Sequence, residues 1–507
     1  MRKGLRRGIF WAAALPVLAA MACNLPVRGG SIERAVSATL TAAARQPAGQ
    51  TAEPGATALP PLSAPQMPVQ PVQDEPGFIR YRTRDGDTLP ALAGRFGVNA
   101  VDIRDGMGLP PDGLLPAGLD LRLPDPGGLP CCEALLLPDA EVPNSPAAAG
   151  FDVQQAVQAG GGILAGYSEE VDGQRLSGAE IVRRIALDTS TNPRLLLAVL
   201  EYRSGWLTGS PPGAAENPFP IGFKNPAYQG LHRELTLTAR MLTAGFYGWR
   251  AGSLTQVTLG GGQTRRLDPG LNAGTAALQN LFAYLSPGEA EWRAQLEGES
   301  SFSAFYARLF GDPWARSAEV RLLPYGLAQP ELALPFLPGK MWSLTGGPHI
   351  TWGTGTPWGA LDFAPAGERS GCYVSPSFAT AAAAGVVARS ERGQVLLDLD
   401  GDGDERTGWV LLYLHLAEQD RAAAGARLNA DDPLGHPSCE GGRVTGTHVH
   451  IARKYNGEWL GVDGPLPLVL SGWQAVKGAK PYLGGLVLGE QYVTAKSDGS
   501  HSSVIQR

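Results

Sequence analysis

The stretch His448-Val449-His450-Ile451-Ala452-Arg453 alternates like a half-buried β-strand and carries two histidines that are separated by one residue. In a strand, alternate side chains point to the same face of the sheet. Both imidazoles therefore point the same way, while Val449 enters the opposite layer. Because histidine is the commonest metal ligand and a frequent acid or base, this pair decides how the last third of the chain is interpreted.

The residues around this stretch, from 335 to 475, predict an antiparallel β domain. Short apolar runs such as Gly385-Val386-Val387-Ala388 are separated by Gly, Pro and Asp, which is the spacing of strands joined by turns. The run Trp409-Val410-Leu411-Leu412-Tyr413-Leu414-His415 alternates in the same way. We therefore expect His415 at the far end of a buried strand, on the same face as Tyr413.

Two further side chains of this region have contexts that suit a metal ion. His349 follows a Gly346-Gly347-Pro348 turn, and Asp362 stands between apolar neighbours. A carboxylate in such a place is costly unless it is paired or binds a metal. Two histidines and one aspartate suit Zn²⁺ and leave a fourth position for a water molecule, whose pKa the metal lowers to ~7. A single histidine is more often just a polar residue with its hydrogen bonds made. Here, however, the spacing of the residues, their common face on the strands and the glycines beside them all agree, and together they predict a catalytic zinc site.

The spacing of these residues resembles that of the lysostaphin-like zinc metallopeptidases. The matching motifs are Gly346-Gly347-Pro348-His349, Asp362, Tyr413-x-His415-Leu416 and His448-x-His450. Asp362 follows His349 by 13 positions, as in the beta-lytic endopeptidase branch of that family, which shares the Trp-Gly, Pro-Trp and Leu-Asp-Phe surroundings. The resemblance implies a zinc-dependent endopeptidase that hydrolyses peptide bonds of bacterial peptidoglycan.

The same resemblance implies a role for each residue. The zinc ligands would be His349, Asp362 and His450. The catalytic histidines beside the zinc-bound water would be His415 and His448, one as general base and the other stabilising the oxyanion, in an order that the sequence leaves open. Some members also use a tyrosine, for which Tyr413 is a candidate. The alternative is a catalytically silent wall-binding adaptor or hydrolase activator, which would lack ligands, and none is missing here.

The N-terminus has the layout of an export signal, predicted over residues 1–23. Four basic residues within the first seven precede an apolar stretch that is too short for a comfortable membrane span. Ala20-Met21-Ala22-Cys23 resembles the end of a bacterial lipoprotein signal, in which Cys23 would be lipidated; ordinary cleavage of the signal is the alternative. Both predict an exported protein of the cell envelope, and lipidation adds a membrane anchor.

Composition bounds the number of domains and the class of partner. A chain of 507 residues is long enough for about three domains. The formal net charge of -6 gives no indication of a nucleic-acid partner. Residues 24–76 are rich in Ala, Pro, Thr and Gln and predict a disordered linker.

Residues 77–125 predict a small βααβ domain. The motif Tyr81-x-Thr83-x-x-Gly86-Asp87-Thr88-Leu89 resembles the start of a LysM domain, a module that binds glycans containing N-acetylglucosamine. The pattern departs from that family near Asp105-Gly106-Met107, where an Asn usually precedes Gly-Leu. The resemblance implies binding to the glycan of peptidoglycan, and the alternative is a packing module without glycan affinity.

Residues 150–330 predict a mainly α-helical domain. The expected helices begin at a Ser177-to-Glu180 capping box and at Asn192-Pro193, and continue at 232–246, 273–286 and 302–310. The segment around Glu201 and Ser204 is faintly similar to the lysozyme-like lytic transglycosylases, whose catalytic Glu directly precedes Ser. Glu201 stands two positions too early, which turns its side chain by ~200° on a helix. We therefore expect a lysozyme-like scaffold without that catalysis.

The cysteines suggest a disulfide in an oxidising compartment. Cys372 and Cys439 both lie close in sequence to the predicted ligands, and we expect them to pair. Cys131 and Cys132 are adjacent, and adjacent cysteines rarely bridge each other, so their pairing is left open.

Two segments of the C-terminal third have less definite predictions. The acidic run from Asp398 to Glu405 resembles the start of a calcium loop, but Trp409 occupies the place of the closing Glu, so we expect a solvated hairpin loop. Residues 476–507 predict a C-terminal tail with strand-like pieces and a loosely ordered polar end that begins at Lys496.

Overall fold

The computed structural model describes residues 77–104, 108–131, 133–353, 355, 357–442 and 444–507. The predicted signal peptide with Cys23, the predicted linker, Asp105-Gly106-Met107 and Cys132 lie outside the described residues. Within the described part of the chain, no helix is both long enough and apolar enough to cross a membrane.

The first described unit has the predicted order of elements with a shorter second helix. It comprises strand β1 (Phe78–Arg82), helix α1 (Leu89–Phe96), a 3-10 turn (Ala100–Asp102) and strand β2 (Asp120–Pro124), and β1 pairs antiparallel with β2. The Thr88 hydroxyl caps the helix by accepting from the Ala91 amide, and Gly97 ends it in the left-handed conformation with φ 71°. A LysM-like identity for this unit stays a prediction.

The small unit packs directly on the helical domain. Arg84 donates to the backbone carbonyls of Gly270 and Leu271 at 2.8 and 2.9 Å. A Cβ atom on Gly252 would collide with the backbone of Ala91 in α1, so these two backbone segments approach as closely as glycine allows. The β1–α1 loop, which carries the LysM-like motif, is thus part of an interdomain contact.

The middle region is helical, with two short hairpins. Its helices are α2 (Val153–Gly160), α3 (Ile163–Gly166), α4 (Gly178–Thr189), α5 (Pro193–Ser204), α6 (Leu231–Arg250), α7 (Ala273–Leu285), α8 (Glu289–Leu296), α9 (Phe302–Phe310) and α10 (Pro313–Ser317). Its strands are β3 (Ser168–Val171), β4 (Gln174–Ser177), β5 (Gln256–Thr258) and β6 (Thr264–Arg266), and further 3-10 turns are Asp139–Glu141, Pro146–Ala148 and Pro226–Tyr228.

Local capping explains where the predicted helices start. Ser177 and Glu180 form a complete capping box at α4, and the Asn192 side chain accepts from Arg194 with Pro193 in the first turn of α5. The Glu201 carboxylate accepts from the backbone amides of Leu207 and Thr208 at 2.7 and 3.2 Å. Glu201 therefore stabilises the turn after α5.

The C-terminal region is built from strands. They are β7 (Met341–Ile350), β8 (Trp358–Pro365), β9 (Ala379–Thr380), β10 (Gly385–Glu391), β11 (Gln394–Asp398), β12 (Trp409–Leu414), β13 (Arg427–Leu428), β14 (Pro433–Gly435), β15 (Val449–Tyr455), β16 (Glu458–Trp459), β17 (Val469–Leu470), β18 (Trp473–Lys477), β19 (Gly484–Leu488), β20 (Gln491–Thr494) and β21 (Val504–Gln506). A last 3-10 turn covers His501–Ser503. The predicted fold class is confirmed for a multidomain chain with a helical middle and a mostly antiparallel β C-terminal region.

One large sheet organises this region. Its strand order in the described residues is β13-β10-β11-β12-β15-β8-β7-β21, with β16 paired to β15, and a separate sheet has the order β17-β18-β19-β20. The loosely ordered end predicted from Lys496 is wrong. Ile505 lies in β21, which closes the free edge of β7, and Arg507 pairs with Asp431. The polar residues that suggested disorder form the turn before β21.

The two faces of the large sheet pack on different partners. On one face, Leu411 and Tyr413 join the core of the C-terminal region itself. On the other face, Val410, Leu412 and Leu414 belong to the same buried cluster as the helices of the middle domain. The middle and C-terminal regions therefore share a hydrophobic core.

Candidate metal centre

Three neighbouring strands bring the predicted zinc ligands together. His349 lies near the end of β7, Asp362 lies in β8 and His450 lies in β15, directly opposite Asp362 in the strand register. All three side chains are buried. Gly346 is opposite Asp362 on β7, and a Cβ atom there would collide with the Asp362 carboxylate, so glycine is required at this position.

The three ligand atoms form a compact triangle. Nε2 of His349 lies 3.0 Å from Nδ1 of His450 and 3.3 Å from Oδ1 of Asp362, and Nδ1 of His450 lies 3.2 Å from the same oxygen. Ligands at ~2.0–2.2 Å from a tetrahedral ion stand ~3.3–3.6 Å apart. The triangle is thus close to one face of a zinc tetrahedron. The described residues include one further group that could hold a metal ion, formed by Asp398, Asp400 and Asp402.

Backbone carbonyls fix the imidazole tautomers at the site. Nδ1 of His349 donates to the Gly347 carbonyl at 2.8 Å, and Nε2 of His450 donates to the Thr351 carbonyl at 3.1 Å. With the ring protons held there, the two nitrogens that face Asp362 present lone pairs to each other. Converging lone pairs and a carboxylate need a cation between them, which fits Zn²⁺.

The two predicted catalytic histidines flank this triangle. His415 and His448 have ring centroids 4.7 Å apart, and Nε2 of His448 lies 3.6 Å from Oδ1 of Asp362. Nδ1 of His415 donates to the Glu440 carbonyl and Nδ1 of His448 to the Gly446 carbonyl, both at 2.8 Å. Each therefore keeps Nε2 free of backbone contacts.

The expected face of His415 is wrong. Leu414 is paired with His450, so alternation alone would place His415 with Tyr413 on the other face. The backbone of His415 instead has φ 69°, which ends the strand and turns the ring toward His448 and His450. Tyr413 is fully buried in the opposite layer, where its hydroxyl accepts from the Ala382 amide at 2.7 Å, and it lies outside the site.

Tyr482, which the sequence reasoning missed, lies against the site instead. Its ring stacks on His349 with centroids 4.1 Å apart. Its carbonyl accepts from the Gly347 amide at 3.0 Å and its amide donates to the Pro348 carbonyl at 3.1 Å. Tyr482 belongs to the segment predicted as a tail, so only the tertiary pairing of that segment with β7 reveals it.

Electrostatics favour a cation at the triangle. Burial opposes the charge on Asp362, but His349 and His448 hold the pKa of this carboxyl well below its usual value. Burial, reinforced by His448 and His450, lowers the pKa of His415 to about 3. Burial also lowers the pKa of His450. Burial opposes a charge on His349, but Asp362 raises the pKa of this imidazole, so the triangle attracts a proton or a metal ion.

The predicted disulfide is confirmed and connects the two walls of the site. Cys372 pairs with Cys439 across 67 positions. Cys439 precedes Glu440, whose carbonyl holds His415. On the other side, Gly371 accepts from the Thr447 amide at 3.0 Å, directly before His448. The disulfide thus joins the segments that orient the two flanking histidines. Cys131 is exposed, and its relation to Cys132 stays open.

The acidic loop forms a second group of oxygen ligands. One carboxylate oxygen each of Asp398, Asp400 and Asp402 lie within 4.8 Å of one another between β11 and β12. The Asp398 carboxylate accepts from the amides of Asp400 and Gly403 at 3.1 and 2.8 Å. Burial and the neighbouring Asp398 raise the pKa of Asp400 to about 7. The loop joins two strands, as expected, but it is only partly solvated, because Asp398 and Glu405 are buried while Asp400 and Asp402 are exposed.

One protein-family model matches the middle region, and two curated proteins are similar to about half of the chain. The protein-family model described as LasA, N-terminal domain, matches residues 135–323. Protease LasA of Pseudomonas aeruginosa strain UCBPP-PA14 is 29% identical over 296 residues, which cover 54% of this chain and 65% of that protein. Protease LasA of strain PAO1 gives the same identity and coverage. The chain therefore spans 65% of the length of these curated relatives.

Solved structures give a more distant likeness. The structure described as a novel M23 metalloprotease, pseudoalterin, from the deep sea is 22% identical, with a TM-score of 0.29, over 33% of this chain and 96% of that chain. The catalytic domain of lysostaphin from Staphylococcus simulans is 21% identical, with a TM-score of 0.17, over 23% of this chain and 81% of that chain. The family model that matches the middle region is the one described as LasA, N-terminal domain, and the lysozyme-like resemblance stays a prediction.

Proposed function

We propose that this chain, whose sequence matches support a place in the LasA-like M23 peptidase family, is a zinc-dependent endopeptidase that hydrolyses peptide bonds of bacterial peptidoglycan. One observation carries the proposal. Lone pairs of His349 and His450 converge with the Asp362 carboxylate on one point, and two further imidazoles stand beside it.

The zinc would be held by His349, Asp362 and His450. When bound, Zn²⁺ polarises the scissile carbonyl and lowers the pKa of a bound water molecule to ~7. The backbone carbonyls of Gly347 and Thr351 keep the two imidazoles in the ligating tautomers. The stacked ring of Tyr482 limits the rotation of His349.

We assign the two flanking histidines different roles. Nδ1 of His415 donates to the Glu440 carbonyl, so Nε2 carries the lone pair that accepts the proton from the attacking water. His448 lies on the other side, with Nε2 3.6 Å from Oδ1 of Asp362. We assign Nε2 of His448 the role of donating a hydrogen bond to the oxyanion of the tetrahedral intermediate. His415 then passes this proton to the departing amide nitrogen, so the new amino terminus carries the proton that the water lost.

The cell-envelope setting of the proposal rests on the sequence. The predicted export signal with Cys23 places the protein outside the cytoplasm, anchored to the membrane when Cys23 is lipidated. The LysM-like motif of the first unit would bind the glycan and raise the local concentration of the enzyme at the wall. The contact between the β1–α1 loop and the middle domain fixes this unit relative to the rest, so such binding would orient the peptidase as well as retain it.

The test uses the full chain and one matched control. Wild type, His450→Ala and His501→Ala are purified, and zinc content is measured together with new amino termini released from purified peptidoglycan. His501 is exposed and lies in the 3-10 turn before β21, outside the strands that carry the ligands, so His501→Ala should behave like wild type. We expect one zinc per chain and new amino termini, both lost in His450→Ala. A folded wild type with neither zinc nor cleavage would support the silent adaptor instead.

A further inference from the structure

A second cleft lies in the middle domain, away from the metal centre. It has a volume of about 550 Å³ and is enclosed by α7, α8, α9, α10 and residues 133–136. Its size is within the range of ~300–1,000 Å³ that is typical of small-molecule sites. The peptidase proposal gives this cleft no role.

A buried hydrogen-bond acceptor in the wall of the cleft has no partner. The Gln279 side chain is 3% exposed, and its amide nitrogen donates to Oε2 of Glu133 at 2.7 Å. Because a carboxylate can only accept, this bond fixes the orientation of the amide group. Oε1 of Gln279 is buried and has no hydrogen-bond partner among the described residues. Buried acceptors are nearly always satisfied, so this oxygen indicates a ligand that donates a hydrogen bond.

Apolar side chains are exposed at the mouth of the same cleft. Trp314 is 43% exposed and Leu135 is 38% exposed, which are high values for large apolar side chains in a folded domain. Asp312 fixes the start of α10 by accepting from the Trp314 amide at 2.9 Å. The buried Trp292 forms another part of the wall, and its indole nitrogen donates to the Gln279 carbonyl at 3.1 Å. The cleft therefore combines flat aromatic surface with one deep acceptor.

The rim offers both donors and acceptors. Arg293 and Glu297 form an ion pair at 2.9 Å on one side, and Ser303, whose hydroxyl lies 3.2 Å from that of the buried Ser301, stands on the other. A purely apolar ligand would leave the Gln279 oxygen unsatisfied. The carboxylates of Glu133, Glu297 and Asp312 also line the cleft, so it can accept several hydrogen bonds from the hydroxyls of a ligand. A ligand with an apolar face and several groups that both donate and accept suits all of these features.

We propose that this cleft binds a short saccharide. The C–H face of a pyranose ring packs on Trp314, and a hydroxyl or amide N–H of the sugar donates to Oε1 of Gln279. The choice of an N-acetylated sugar as probe rests on the proposed wall function, whereas the saccharide class rests on the cleft alone. The middle domain would then hold the glycan strand while the metal centre acts on the peptide.

The test measures binding of the N-acetylglucosamine tetramer and of cellotetraose to the full chain by calorimetry. Trp314→Ala should raise the dissociation constant at least tenfold or remove one binding site. Tyr325→Ala is the matched control, because Tyr325 is 53% exposed outside the cleft. Gln279→Leu, which removes the acceptor, should also weaken binding tenfold or more, with folding checked by circular dichroism.

Two results would overturn the proposal. The first is equal binding of either sugar by wild type and Trp314→Ala, which would place any glycan affinity elsewhere, such as the unit at 77–125. The second is that neither sugar binds at millimolar concentration while a wall-derived peptide binds in a Trp314-dependent way. Because no peptidase activity is measured, failure of this proposal is distinguishable from failure of the proposed function.

Discussion

The disulfide between Cys372 and Cys439 should stabilise the fold and position the catalytic histidines at the same time. It closes a loop of 67 positions. In the chain-entropy treatment of cross-links, a loop of this length contributes about 4 kcal/mol to the free energy of unfolding. We therefore expect the double variant Cys372→Ser/Cys439→Ser to lose up to that amount in urea unfolding followed by tryptophan fluorescence.

The same variant should separate metal binding from catalysis. The disulfide connects the segments that hold His415 and His448, whereas the ligand triangle lies on β7, β8 and β15. Zinc content should therefore stay near one per chain while kcat on a peptidoglycan peptide falls by tenfold or more. Cys131→Ser is the control, since Cys131 is exposed and distant in sequence from both walls.

Three outcomes would each refute a part of this reasoning. A double variant that keeps full kcat would show that backbone contacts alone orient the two histidines. A loss of unfolding free energy below about 1 kcal/mol would show that the closed loop does little to restrict the unfolded chain. Loss of zinc together with activity would mean that the disulfide supports the whole site.

Three further predictions concern other parts of the structure. Burial opposes the charge on Glu405, but Lys454 and Arg389 hold its pKa at about 2, below the ordinary 4.5. The charged carboxylate therefore stabilises the fold fully above about pH 5, and this stabilisation is lost as the pH falls toward 2. In acid titrations of unfolding, wild type should lose about 3 kcal/mol more than Glu405→Gln over that range. Asp188→Ala should lower the free energy of unfolding by about 3 kcal/mol, because the Asp188 carboxylate accepts two hydrogen bonds from Arg392 across the domain boundary. The calorimetric melting temperature should fall, and an unchanged value would contradict this prediction. Tyr482→Ala should weaken zinc affinity about tenfold in chelator competition while Tyr482→Phe keeps it, since the ring and not the hydroxyl stacks on His349; equal losses would assign the effect to the hydroxyl.

Much of the candidate site could be predicted, because the patterns that indicate it lie within a few residues of one another in the sequence. The alternation at His448 and His450 specifies one face of a strand, and an aspartate among apolar residues has few explanations other than pairing or a metal. Helix starts such as Ser177 were predicted for the same reason, since a cap is a contact within four residues.

The parts that the sequence did not reveal depend on distant residues or on single backbone angles. Strand alternation gave the wrong face for His415, because its backbone lies in the left-handed region and this turns the side chain to the other face. A sequence rarely reveals a positive φ at a residue other than glycine. Tyr482 could not be placed, because its position follows from pairing with β7, more than a hundred residues earlier. Both cases are tertiary effects that override a local pattern.

The contact between the middle and C-terminal regions depends most on residues that are distant in sequence. The sequence suggests a break near residue 330, but alternate residues of β12, such as Leu412, pack among the helices of the middle domain. His450 is paired with Leu414 of the same strand, so the metal centre lies on the face of the sheet that the helices cover. A buried ion pair between Lys454 and Glu405 continues this face, and the Ser190 hydroxyl accepts from Lys454 at 3.5 Å. Removing the helices would expose apolar side chains and a buried ion pair next to the ligands, so the middle domain is part of the structural support of the site.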